Sequence, residues 1–502
     1  MSKYDLMIQN GKVITSSGEA YLDIAVKDGK IVAIEAAGVL TDDAVKTLDA
    51  SGKLVMPGLV EPHMHIKAPL GGITDILDFD SAGKCAAFGG VTTFMDFSST
   101  LPGDSLVDAV EFRKKEMEIS PQDYSVHCKV VNLADAEDIA EAMLADARYA
   151  KNKTEENRLA AEAANAKVDR SVEQKLQEIR AVVKDGGIPT FKLFMTYRKA
   201  NVMIDDIFML KVMKAVKDAG GRVGFHAESN AIAEYNEEVY ACEGKLDWEY
   251  FAEYKGNLCE EEAVRRVLYY AEELGAPIYF FHLSTKGSVE LIREAKKRGV
   301  DVIAETCCHY LTLTKEKNKG KDGILYLMSP PLRREEDRVA LWEAVKDGTL
   351  SIVSSDNCTF PRAMKEAPLG GGAPDFRKPI SGVSGVEERF GLLMRAVNQG
   401  VITLSDMVRV ACENPARYFG CYPQKGCLEV GSDADIVIVD PEAPFSMDRE
   451  ALHYPEELEY SVYQGYDAVG RPVDTIRRGE FLVENGVFNE SAARGRFLFR
   501  TL

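Results

Sequence analysis

Nowhere in the 502 residues do 18 consecutive apolar side chains occur, which excludes a simple helical membrane span. The opening MSKYDLMIQNGKV lacks a basic stretch followed by an uninterrupted apolar one, so the expected location is the cytoplasm. Ten cysteines are scattered without a C-x-x-C pair, and reduced, mostly buried thiols are expected rather than a disulfide framework. Basic residues are in deficit: 61 Lys and Arg against 80 Asp and Glu leave a net charge of −19. With no local basic patch to offset that surplus, neither nucleic acid nor a membrane surface is an expected partner.

What is present is an ordinary globular composition, 46% hydrophobic and 28% charged, long enough for up to three domains of about 150 residues. The two ends of the chain read as strand-rich. Asn10-Gly11 precedes KVI and Asp28-Gly29 precedes KIVAI, while DADIVIVD and an Asn485-Gly486 pair mark the other end; such pairs are the type I′ hairpin signal. Residues 1–55 and 426–502 are expected to join in one small β-sandwich.

Between them, over 56–425, short apolar runs alternate with amphipathic helical stretches. The runs are GLVEPHMHI, VTTFMDF, YSVHCKVV, PTFKLFM, GRVGFHA, PIYFFHL, DVIAETC and LSIVSSD. Eight βα units close most simply into a (β/α)₈ TIM-like barrel, so the fold class is α/β. The stretch 134–185 is longer than one covering helix needs. Its middle, 149–176, is charged and Ala-rich and reads as a solvated helical excursion.

Only seven histidines occur, so chance predicts about a tenth of one i, i+2 pair. His63 and His65 make such a pair at the end of the first run. On an extended strand they share a face, as two ligands of one ion must, and the carboxyl ends of barrel strands carry active sites. Lys192, His226, His282 and Asp356 interrupt other apolar runs in the same way. Four imidazoles and a carboxylate are too many for one catalytic ion with an open position, which implies two divalent cations, zinc foremost. Two cations about 3.5–4 Å apart want an anionic bridge. A lysine supplies one only as its carbamate, N6-carboxylysine at Lys192. A shared hydroxide then serves as nucleophile, and hydrolysis is the natural reaction class.

Over nearly the whole chain the sequence resembles the hydantoinase and dihydropyrimidinase branch of the amidohydrolase superfamily. The resemblance is carried by VMPGLVEPHMHI, TFKLFMTYR, GFHAES, FFHLSTKGS, YLMSPPLR, SSDNCTF, SGVEER and GSDADIVIVDP. YFGCYPQKGCLEV and the tail RGRFLFR are similar to bacterial phenylhydantoinase-type enzymes. The resemblance implies hydrolysis of a cyclic amide, a 5-substituted hydantoin or a dihydropyrimidine, to an N-carbamoyl amino acid. It implies His63, His65 and Asp356 on one ion, His226 and His282 on the other, and carboxylated Lys192 between them. Asp356 would also carry the proton, Tyr197 would donate to the developing oxyanion, and Ser329 and Ser384 would mark the backbone that holds the ring. A homotetramer or homodimer is expected.

The sequence also departs from the family pattern. Ser384 stands where asparagine or proline is common, Asn357 where histidine often follows the SSD motif, and YKGNLCEEEA lacks the Arg-Pro pair of many relatives. Neighbouring readings are an allantoinase or another cyclic amidase, and a non-catalytic scaffold that has lost its ligands; all six expected ligands are present. His127, His309 and His453 have no motif partners and read as core or surface imidazoles. Cys307, Cys308 and His309 are set aside as a metal trio, because adjacent strand side chains diverge. The loop KAPLGGITDILDF, 67–79, is expected either to shape the substrate pocket or to be a surface loop.

Overall fold

The structure is a computed structural model that describes residues 2–70, 73–100 and 103–502; Gly71 and Gly72 of the 67–79 loop lie outside the described residues. Strands β1 (Tyr4–Thr15), β2 (Gly18–Lys27), β3 (Lys30–Ala36), β4 (Ala44–Asp49) and β5 (Leu54–Pro57) open the chain. Asp28-Gly29 turns the β2–β3 hairpin with φ of 51° and 74°, as the type I′ geometry requires.

Asn10-Gly11 does something other than the expected hairpin. It forms a bulge inside β1, between Ile8 and Gly11. The positive φ of Asn10, 63°, kinks the strand so that its first half pairs with β4 and its second with β5. A Cβ on Gly11 would stand 2.4 Å from Val55 Cγ2, so the bulge needs glycine there.

The first barrel strand, β6 (Leu59–Glu61), follows after one residue, and a small hairpin, β7 (Pro69–Leu70) with β8 (Ile73–Thr74), comes next. Then come β9 (Val91–Phe97), β10 (Asp123–Lys129), β11 (Thr190–Phe194), β12 (Arg222–His226), β13 (Ile278–Phe280), β14 (Val302–Cys307) and β15 (Ile352–Ser354). Each coincides with one of the apolar runs, β10 beginning one residue ahead of its run. They form an eight-stranded parallel sheet in the order β6-β9-β10-β11-β12-β13-β14-β15. Its first and last strands meet through a parallel bridge between Met64 and Asn357, which brings the ring nearly to closure.

Four strands, β16 (Ile436–Phe445), β17 (Ala468–Arg477), β18 (Glu480–Glu484) and β19 (Val487–Phe488), return to the N-terminal strands. The result is one nine-stranded sheet in which β16 lies antiparallel to β5. Leu6, Ile8, Ile24, Val55, Ile436 and Ile476 are buried together in its core.

Below the strand ends the barrel is filled. Met95, Phe97, Tyr279, Phe281, Ile303 and Phe419 pack as one cluster. Gly224 makes room for Phe281, since a Cβ there would lie 2.3 Å from its ring. The tail seals the floor: Arg500 is fully buried and donates to the carbonyls of Val126 at 2.6 Å and Phe419 at 2.9 Å. The long excursion is helical, Ala136–Lys151 followed by Glu155–Lys184. Ala142, Ala145, Ala161 and Ala164 bury the crossing of the two helices. The distal half of the second helix returns to the barrel through Ile179 and Val182.

Candidate metal centre

The polar residues that interrupt the apolar runs converge at the carboxyl end of the barrel. Nε2 of His63 is 3.0 Å from Lys192 Nζ and 3.0 Å from Asp356 Oδ1, and Nε2 of His65 is 3.3 Å from the same oxygen. One ligand atom each from His63, His282 and Asp356 lies within 4.8 Å of the others. The rings of His226 and His282 meet edge to face at 4.5 Å. Nε2 of His226 is turned to Glu228 at 2.7 Å, so Nδ1 is the ring nitrogen left to face a cation.

Backbone strain helps to aim these groups. Tyr197, His282 and Asp356 have φ of 69°, 38° and 48°, a region costly for side chains with a Cβ. At the ends of β11, β13 and β15 that twist turns the chain out of the sheet direction just where each side chain must point inward. Surrounding hydrogen bonds hold the strain. The His282 amide donates to Glu305 Oε1 at 3.1 Å, and the His65 amide to the Asn357 carbonyl at 2.8 Å.

A shell of buried carboxylates orients the imidazoles. Glu305 on β14 takes His63 Nδ1 at 2.7 Å and the hydroxyl of Tyr279. Glu61 on β6 accepts from the His63 amide at 3.0 Å and the Ser355 amide at 3.1 Å, and pairs with buried Arg389 at 2.8 Å. Glu228 lies between His226 and Lys255, whose ammonium is 2.9 Å away. Lys255 belongs to the segment that lacks the Arg-Pro pair. It also donates to Ser329 Oγ at 2.9 Å and lies 5.1 Å from the centre of the Tyr197 ring. Tyr197 and Ser329 therefore face the same space. Ser384 is buried and donates to Glu388 at 3.3 Å. The Asn357 side chain accepts the backbone amides of Gly385 at 3.0 Å and Val386 at 3.4 Å. Asn357 so anchors the Ser384 segment, a task the sequence did not reveal.

Electrostatics prepare the group for cations. Burial lowers Lys192 to about 8, even though Asp356 and Glu305 pull upward, so a neutral amine is accessible near neutral pH. Burial takes His65 down to about 3 and His282 well below its ordinary value, which keeps both imidazoles neutral and ligand-competent. Burial would raise Asp356, but His63 and His65 beside it hold its carboxyl well below the usual range. Neutral imidazoles, one carboxylate and an amine convertible to a carbamate match the donor preferences of zinc and its neighbours.

The remaining histidines divide. His127 is a core imidazole, its ring bonded to Thr190 at 2.8 Å and the Pro62 carbonyl at 3.0 Å. His453 stacks on Phe88 and binds Glu387 at 2.7 Å. His309 is different: it lies close to Asp356, together with Cys307. Glu61, Glu228 and Glu305 were missed by sequence reasoning. The positions of Glu61 and Glu305 carry the same signal, a charge inside an otherwise apolar strand, although their partners do not show in the sequence; Glu228 follows the end of β12 and carries no such signal.

Comparison with known proteins agrees with this geometry. The amidohydrolase family model matches residues 54–481. The chain is 35% identical over 499 residues to a D-hydantoinase of Ralstonia pickettii, covering 99% of both chains. It is 30% identical to a D-phenylhydantoinase of Escherichia coli O1:K1 / APEC, covering 99% of this chain and 98% of the other. A solved D-hydantoinase structure superimposes with a TM-score of 0.86 at 35% identity over 99% of both chains. An L-hydantoinase (dihydropyrimidinase) from Arthrobacter aurescens does so with a TM-score of 0.82 at 28% identity, over 99% of this chain and 100% of that one.

Proposed function

From the premise that the chain belongs to the amidohydrolase family, we propose that it hydrolyses a C–N bond of a cyclic amide in a metal-dependent reaction. The substrate is a 5-substituted hydantoin or a dihydropyrimidine, and the product an N-carbamoyl amino acid. The observation that carries this reading is the meeting of His63, His282 and Asp356 ligand atoms within 4.8 Å, with Lys192 3.0 Å from His63.

His63, His65 and Asp356 would hold one divalent cation and His226 and His282 a second, with carboxylated Lys192 reaching both; zinc fits this donor set. Bound there, such cations supply Lewis acidity, polarising a carbonyl and acidifying water. The chain's own groups do the rest. Asp356 accepts a proton and delivers it to the leaving nitrogen, which its position among the candidate ligands allows. The Tyr197 hydroxyl donates to the oxygen of the attacked carbonyl as negative charge builds there. Ser329 and the Ser384 segment, anchored by Asn357, fix the ring by its amide edge. The filled barrel beneath Phe97 and Phe281 keeps bulk water from reaching the centre from below.

The enzyme works on a small molecule as a cytoplasmic homotetramer or homodimer, without nucleic acid or membrane partners; no described helix is long and apolar enough to cross a membrane. The test is ring opening of racemic 5-phenylhydantoin and of dihydrouracil by protein loaded with zinc and bicarbonate, with chiral analysis of the products. Turnover of either is the expected result. Failure on both, with metal bound, would sink the substrate assignment.

A further inference from the structure

His309 is 1% exposed, and neither of its ring nitrogens has a hydrogen-bond partner among the described residues. Buried polar groups are rarely left so unless something unshown occupies the space before them. One nitrogen of that ring, Cys307 Sγ and an Asp356 carboxylate oxygen lie within 4.8 Å of one another. Divergence of adjacent strand side chains argues against a Cys307-Cys308-His309 trio, and half of that argument stands. Cys308 turns away to the Ser354 carbonyl at 3.2 Å. Cys307 and His309 come together because β14 passes directly into the short helix Cys308–Thr312, and their third companion is Asp356.

We propose that Cys307, His309 and Asp356 form an inhibitory site for a thiophilic divalent cation, such as cadmium or excess zinc, which withdraws Asp356 from the hydrolytic centre. A thiolate and a carboxylate with a neutral imidazole balance a dication and leave one position for water. The entering ion replaces the thiol proton, which passes to solvent. Thiolate selects soft ions over magnesium, calcium and manganese. The Cys307 thiol donates to Glu305 Oε1 at 3.9 Å, a bond the entering ion would replace, while Glu305 keeps its bonds to His63, Tyr279 and the His282 amide. Cation binding does not depend on the proposed function, whereas inhibition rests on Asp356 belonging to that centre.

The test uses protein loaded with two equivalents of zinc and bicarbonate and carrying Cys242→Ser, because Cys242 is exposed. Cadmium is titrated while thiolate-to-cadmium ultraviolet absorption, retained zinc and hydantoin turnover are followed. One further equivalent should bind, with the charge-transfer band appearing, zinc retained and turnover falling at least about tenfold. Cys307→Ser should abolish the band, keep basal turnover and resist cadmium; His309→Gln should weaken cadmium binding. A band that persists in Cys307→Ser, or zinc released one for one, would overturn the site. Bound cadmium with undiminished turnover would overturn the inhibition. If the protein opens no hydantoin at all, the band and zinc content still decide the site.

Discussion

Glu305 and His63, 242 positions apart in the chain, meet at 2.7 Å through Oε1 and Nδ1. The same carboxylate oxygen receives the His282 amide, so one residue of β14 sets two candidate ligands on different strands. Replacing such an outer partner typically costs 10–100-fold in metal affinity. Glu305→Gln should therefore lose zinc to a chelator at about 10-fold lower chelator concentration or less. A chelator competition curve that coincides with the wild type would dismiss the orienting role.

Lys192→Ala is expected to lose both hydrolysis and most of its bound metal, measured by elemental analysis of the purified variant. Near-normal turnover would refute a bridging role for this side chain. There is a pH counterpart. Because burial lowers Lys192 to about 8, the neutral amine that reacts with CO₂ becomes abundant as pH rises through that value. With dissolved CO₂ held at one concentration, reactivation of metal-stripped protein by CO₂ and zinc should accelerate from about pH 7 to about pH 9 and then level off. A flat or falling rate would contradict it.

Tyr197→Phe should lower kcat by roughly 10² or more, the usual loss for one oxyanion donor. Because Lys255 Nζ lies against both the Tyr197 ring and Ser329 Oγ, a rise in KM with kcat unchanged would move Tyr197 from transition-state stabilisation to ring binding.

Asp75 accepts the Ala68 amide at 3.1 Å through one oxygen, and the other has no partner among the described residues. Burial, with Asp96 nearby, raises it to about 8. A raised folded-state pKa means that the folded protein binds the proton more tightly. The stabilisation is full below the unfolded value, about 3.9, and is lost as pH climbs through 8. Asp75→Asn should thus flatten the fall in melting temperature between about pH 5 and pH 8. A variant whose melting temperature tracks the wild type over that range would show that Asp75 is not the group responsible.

The barrel was legible because each strand is buried on both faces and so reads as an unbroken apolar run. The candidate ligands were legible for the same reason in reverse, as polar residues where only apolar ones belong. Lys192 and Asp356 stand out from a single strand. Glu305 and Lys255 act through partners brought by other strands and segments, so their task shows only once the chain is folded. His309 shows the limit most clearly. Its significance comes from Asp356 across the β14–β15 junction, and no spacing along the chain encodes that approach. Asn10-Gly11 erred in the other direction: the dipeptide supplies positive φ, and a bulge uses that as readily as a hairpin does.

The pairing of β5 with β16 bears on the order of assembly. Lys53 and Asp440, joined at 2.5 Å across those two strands, are 387 positions apart. Contacts of such separation form late and slowly. Until β16 arrives, the apolar edge of β5 stays open to any strand that reaches it first. Refolding yield should therefore depend strongly on protein concentration, because another chain competes for that edge before the molecule's own distant strand can claim it.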